Sequence, residues 1–124
     1  MTIKTRLIDY RDGDFVFEGM LAWDDAVDGP RPGVLVAHTI RGRSQFEESK
    51  AVALAEQGYT GFAVDVYGKE AIGSDIEACR EMMEALRSER AALQQRLLLA
   101  LQAMRDQPEV DATSVAAIGY CFGG

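Results

Sequence analysis

Three short apolar runs, Val34-Leu35-Val36-Ala37, residues 60–66 and Val115-Ala116-Ala117-Ile118-Gly119, set the architecture this chain can adopt. Runs of this length, bounded by turn residues and lacking polar alternation, mark strands covered on both faces of a parallel sheet. Parallel neighbours cannot be joined by a tight turn and need a crossover of a dozen or more residues, usually a helix. The intervening segments have that character. Ser44 is a helix N-cap and Glu47 completes a capping box, while Phe46, Ala51, Val52, Leu54 and Ala55 supply apolar positions up to about Gln57. Gly58 stands in the usual closing position. Residues 33–66 therefore form one strand–helix–strand unit.

Gly73-Ser74-Asp75 opens a long helical region, 73–106, with a break near Arg87-Ser88 and with Leu86, Leu93, Leu97, Leu101 and Met104 on one face. Gln107-Pro108-Glu109-Val110-Asp111 ends it, and residues 113–124 hold the last strand and a turn. Ahead of all this, residues 1–24 predict a β-hairpin, strands 3–10 and 14–23 flanking an Asp12-Gly13 turn. The polar loop after it ends in Pro30-Arg31-Pro32-Gly33, a strong breaker. The expected fold class is α/β, a hairpin followed by parallel strands with crossover helices, in a single domain of 124 residues.

Several function classes fall away on composition. A net charge of −7 with no basic cluster argues against nucleic acid or an anionic membrane surface as partner. No apolar run approaches the roughly 20 residues of a membrane span. Cys79 and Cys121 are far apart without metal-ligand spacing, so no metal site or disulfide framework is expected, and a reducing cytoplasm is the default location. The stretch from Gly33 to Ser44 lacks G-x-G-x-x-G, so no dinucleotide, and no other cofactor, is expected.

The chemistry lies in Gly119-Tyr120-Cys121-Phe122-Gly123, directly after the last apolar run. This is G-x-C-x-G, the thiol form of the turn that presents a nucleophile between a strand and a helix. Such a turn strains the backbone and needs small residues two positions either side of the nucleophile. Cys121 would attack a carbonyl carbon as thiolate and form a thioester that water later releases. The alternative for Cys121 is an inert structural cysteine.

The hairpin, the alternating strands and helices and the elbow together resemble an α/β-hydrolase. More narrowly, the chain is similar to the N-terminal half of the dienelactone hydrolase family, whose nucleophile is a cysteine. The resemblance is carried by Pro32-Gly33-Val34-Leu35-Val36-Ala37-His38, Leu54-Ala55-Glu56-Gln57-Gly58-Tyr59, Ala63-Val64-Asp65-Val66-Tyr67-Gly68 and residues 115–124. It implies hydrolysis of a small ester or lactone, with Cys121 as nucleophile and the backbone N–H groups of Ile40 and Phe122 as the oxyanion hole. It also sets Arg80 where the family has an arginine for a substrate carboxylate; a solvated helix-face arginine is the alternative. Asp65 and Tyr67 recur in the family at a strand end, where turn formation and packing account for them.

In that family the acid and base follow the nucleophile, so His38, the only histidine, is expected to make loop hydrogen bonds instead. Thr39 departs from the best-known members, which have a glutamate there that holds the resting thiol; this separates the hydrolase class from dienelactone as substrate. With three residues after Cys121, the expectation is a chain complete only with sequence beyond Gly124. Its partner would be that C-terminal half or a self-associated copy, with residues 115–119 an exposed apolar edge until covered. The competing readings are an inactive half-domain that persists by association, and a doubly wound binding module, against which the missing phosphate loop counts.

Overall fold

The computed structural model describes residues 1–124. Strands β1 (Ile3–Asp12) and β2 (Phe15–Asp24) form the hairpin, paired from Ile3↔Asp24 to Asp12↔Phe15 around a turn with Gly13 at φ 59°. β3 (Arg31–Ala37), α1 (Gln45–Glu56) and β4 (Thr60–Ala63) form the crossover unit. Helices α2 (Ile76–Ser88) and α3 (Arg90–Arg105) lead to β5 (Val110–Gly119). The sheet order is β1-β2-β4-β3-β5, with β4, β3 and β5 parallel and the hairpin joined antiparallel through β2.

The helices sit where the sequence puts them. Ser44 caps α1 and shares a complete capping box with Glu47, which satisfies amides that the first helical turn leaves without partners. Gly58 follows α1 at φ 94°. The long helical region breaks at Glu89, and Asp75 caps its first half by accepting from the Ala78 amide at 2.9 Å. α1 packs with Ala51 and Ala55 on Met20, Ala22 and Ala63. The approach is so close that a Cβ on Gly61 would lie 2.6 Å from the Ala51 carbonyl. The larger core holds Phe17, Leu21, Phe62 and Val64 together with Leu86, Ala100 and Met104 of the α2–α3 pair.

Three strand boundaries differ from expectation. Pro32, placed in a breaker, lies inside β3, and Val110, placed at the helix end, opens β5. A register shift explains both: Arg31↔Val110 and Pro32↔Asp111 are followed by Gly33↔Val115, so residues 112–114 leave the ladder beside the proline, which has no N–H to give. β4 stops at Ala63 instead of Val66. Beyond it the Val64 amide still reaches the Val36 carbonyl at 3.1 Å. At Asp65 the Tyr10 hydroxyl takes over, accepting from the amide at 2.9 Å and donating to the carbonyl. The last apolar run, expected as a buried-type strand that would lie bare at the edge until covered, is β5 at the outer edge, with Ala116, Ala117 and Ile118 exposed.

Candidate active site

The C-terminal ends of β3 and β5 converge, the usual place for a site in an open α/β sheet. β5 runs into a single 3-10 turn, Cys121–Gly123. Cys121 has φ 56° and is the only non-glycine residue with a positive φ. A side chain rarely holds that conformation outside strained functional turns. Its flanking glycines are required sterically: a Cβ on Gly119 would lie 1.9 Å from the Gly123 carbonyl oxygen, and one on Gly123 2.6 Å from the Ala37 carbonyl oxygen. The elbow is thus pressed onto the end of β3.

The Cys121 side chain is exposed and opens into a cleft of about 690 Å³ lined by Met83, Leu93, Leu97 and Phe122, with Arg87 and Arg90 at the α2–α3 junction. Arg80 does not line this cleft; it pairs with Glu77 at 3.3 Å on an exposed helix face. Arg87 and Arg90 hold that side instead, one helical turn or more further along. Cys79 is buried, its thiol donating to the Ser74 carbonyl at 3.6 Å, and burial pushes its pKa up. The two cysteines therefore occupy opposite environments.

Ile40 lies in the loop of residues 38–44 that leaves β3 beside the elbow. Its carbonyl accepts from the Tyr67 hydroxyl at 2.8 Å, and the Tyr67 ring stacks on Phe122 with centroids 6.1 Å apart. The two residues assigned as oxyanion donors thus meet the same tyrosine. Further along the loop Arg43, almost wholly buried, donates to the Glu18 carbonyl at 2.7 Å and pairs with the Glu18 and Glu48 carboxylates at 2.7 and 2.6 Å. Neither contact has a local sequence signal, since Tyr67 and Ile40 are 27 positions apart and Arg43 and Glu18 are 25 apart.

His38 is 1% exposed and fully engaged. Nδ1 bonds the Thr39 carbonyl at 2.8 Å, and with the proton there Nε2 accepts from the Val66 amide at 3.2 Å. Burial holds its pKa below the ordinary imidazole range, against smaller opposing pulls from the Thr39 carbonyl, Asp65 and Glu47. It has no lone pair free for a thiol. Asp65 works as a turn former: Oδ1 accepts from the amides of Tyr67 and Gly68 at 3.0 Å each, and Oδ2 accepts from the Glu18 amide at 3.0 Å. No three His, Cys, Asp or Glu side chains are grouped to hold a metal ion, and no helix is long and apolar enough to cross a membrane.

This arrangement has counterparts in known proteins. The structure named m3DLH superposes with TM-score 0.93 at 40% identity, covering 99% of this chain and 51% of its own. A dienelactone hydrolase-like promiscuous phosphotriesterase from metagenomic libraries gives TM-score 0.94 at 36% identity, with 99% and 51% covered. A Synechocystis protein named "Putative carboxymethylenebutenolidase" is 30% identical over 98% of this chain and 51% of its own length. The chain thus spans about half the length of the relatives it matches. The model of the Dienelactone hydrolase family matches residues 17–124. This chain belongs to the dienelactone hydrolase family.

Proposed function

We propose that the chain is the nucleophile-bearing part of a hydrolase that opens ester or lactone bonds through a thioester on Cys121. The observation that carries this reading is the elbow itself: an exposed thiol on a positive-φ residue, clasped by two glycines that no larger residue could replace. Strain of this kind persists where the surrounding structure holds it for a purpose. In the reaction, the Cys121 sulfur bonds to the carbonyl carbon and the C=O π pair moves to oxygen, facing the Ile40 and Phe122 amides. Collapse of the adduct re-forms C=O and expels the alkoxide, which takes a proton from the acid partner. Water then gives a proton to that same partner, now acting as base, and attacks the thioester carbon. Collapse of the second adduct breaks the C–S bond and releases the carboxylic acid and the thiolate.

His38 cannot be the base, because both of its nitrogens are committed. The base and acid are therefore proposed to come from outside residues 1–124, with further strands pairing along β5. Of the relatives, one is named a carboxymethylenebutenolidase and another a promiscuous phosphotriesterase. A thiol beside two amide donors suits the carbonyl centre. The cleft, lined largely by apolar side chains, suits a small uncharged or singly charged ester, and an exposed free thiol suits a reducing cytoplasm. A second reading, an inactive half-domain held by association, is favoured by the exposed apolar edge at Ala116–Ile118.

Hydrolysis of a p-nitrophenyl acyl ester by the full-length protein separates the two. Cys121→Ala and pretreatment with iodoacetamide are each expected to remove activity, with a mass increase at Cys121 alone in the alkylated protein. Activity that survives both treatments would sink the thioester mechanism.

A further inference from the structure

We propose that Tyr67 is a positioning residue that holds the two halves of the oxyanion hole in register; this rests on the hydrolase reading above. The Ile40 and Phe122 amides are 82 positions apart and lie on separate elements, the loop after β3 and the turn after β5. Two donors so placed stabilise a developing oxyanion only if their spacing is fixed before the reaction. Tyr67 touches both. Its hydroxyl donates to the Ile40 carbonyl at 2.8 Å, and its ring stacks on Phe122 at an interplanar angle of 19°.

The loop closes on the same ring at two more points. The His38 ring lies 4.8 Å away between centroids, and Gly42 passes so near that a Cβ there would sit 3.1 Å from Tyr67 Cδ2. Tyr67 is in turn immobilised from behind. It is 7% exposed, and its amide is held by the Asp65 carboxylate at 3.0 Å. Burial, with smaller contributions from the two cysteines, raises the pKa of the phenol, so it remains a donor throughout the neutral range. Tyr67 does not line the Cys121 cleft, so its action passes through the two backbone segments and not through substrate.

The test compares Tyr67→Phe, which keeps the ring and loses the hydroxyl, with Phe122→Leu, which keeps the amide and loses the stacking. Both are made in the full-length protein and assayed per alkylatable Cys121 thiol, so that loss of folded protein does not count. Each is expected to lower kcat for the aryl ester by about 10- to 100-fold, and Tyr67→Phe to leave KM nearly unchanged. Affinity for an aryl trifluoromethyl ketone, whose carbonyl oxygen becomes an oxyanion when the thiolate adds, should fall by the same factor as kcat/KM. The rate of iodoacetamide alkylation, which needs no oxyanion donor, should not change. A tyrosine that only fills the core would lower the melting temperature and leave kcat per thiol and ketone affinity untouched, which overturns the proposal. Wild-type protein that never hydrolyses the ester overturns the hydrolase reading and this inference with it. An active wild type with two indifferent variants overturns this inference alone.

Discussion

The loop of residues 38–44 and the elbow of residues 119–124 lie against each other, yet they are held by opposite means. The loop is fastened by directed polar contacts at nearly every position: His38 to Thr39 and Val66, Ile40 to Tyr67, Arg43 to Glu18 and Glu48, Ser44 to Glu47. The elbow has two short-range amide bonds, Gly123 to Tyr120 and Gly124 to Cys121, aromatic packing of Tyr120 on Phe46 and of Phe122 on Tyr67 and His38, and hard contacts between glycines and backbone. Each polar tie on the loop carries a share of its stability, because removing one partner leaves the other buried without a bond. Steric fastening fails in another way, since any added atom must displace the backbone that carries the thiol. The loop is therefore held by paired polar groups, and on the elbow backbone geometry sets where the Cys121 thiol points.

The largest effect should come from breaking the elbow. In Gly119→Val a Cβ must enter the space 1.9 Å from the Gly123 carbonyl, moving Cys121 and Phe122 together. Hydrolysis of an aryl ester per folded molecule should fall about 100-fold or more, as expected for misplacing a reacting group by an ångström. A variant with full activity would show that the glycine contact is not what aims the thiol. The loop is challenged by Arg43→Ala, which leaves two carboxylates without their buried partner. Chemical denaturation should show a loss of about 3 kcal/mol. A loss below about 1 kcal/mol would mean that the remaining ties carry the loop unaided.

The smallest effect is a pH response on the loop side. Folding keeps His38 neutral where a free imidazole, near pH 6.5, begins to take up a proton. Below that pH the unfolded chain binds more protons than the folded one, so stability falls as pH falls, until the folded imidazole itself titrates. The slope from one such group reaches at most about 1.4 kcal/mol per pH unit. It should be seen between about pH 6.5 and 5.5, above the ordinary carboxylate range, and His38→Gln should flatten it. An unchanged slope in that variant would assign the response to other groups.

The same contrast explains what could be read in advance. The capping box of Ser44 and Glu47, the closing Gly58, the Asp-Gly hairpin turn and the contact of Gly119 with Gly123 act over three or four positions, so their spacing in sequence is their geometry. The N-terminal hairpin, the crossover unit and the break in the long helical region followed from such local signals. The start of β5 at Val110 did not, because it depends on a bulge opposite Pro32, a residue 78 positions earlier. Nor did the Arg43 clamp or the link from Tyr67 to Ile40, whose partners come together only when β2, β4 and the loop after β3 are assembled. Tyr67 had a sufficient local explanation in packing, and its contacts with Ile40 and Phe122 appear only once the loop and the elbow are in place. Arg80 illustrates the reverse, a local match on α2, while the arginines that line the cleft are Arg87 at the end of α2 and Arg90 at the start of α3.

Tyr10 carries a consequence for how the chain leaves its own sheet. A strand that ends in the interior abandons a peptide group that water cannot reach, and such a group is costly unless something else bonds it. The phenol of Tyr10 serves both the amide and the carbonyl of Asp65, the exchange that a neighbouring strand would otherwise supply. One side chain from the hairpin thus substitutes for a rung of backbone ladder. That substitution lets the polypeptide depart after four residues of β4 and spend Val64 to Gly68 on a turn, so a tyrosine at the sheet's far edge is what releases this stretch to pack against the loop at the carboxyl ends of the parallel strands.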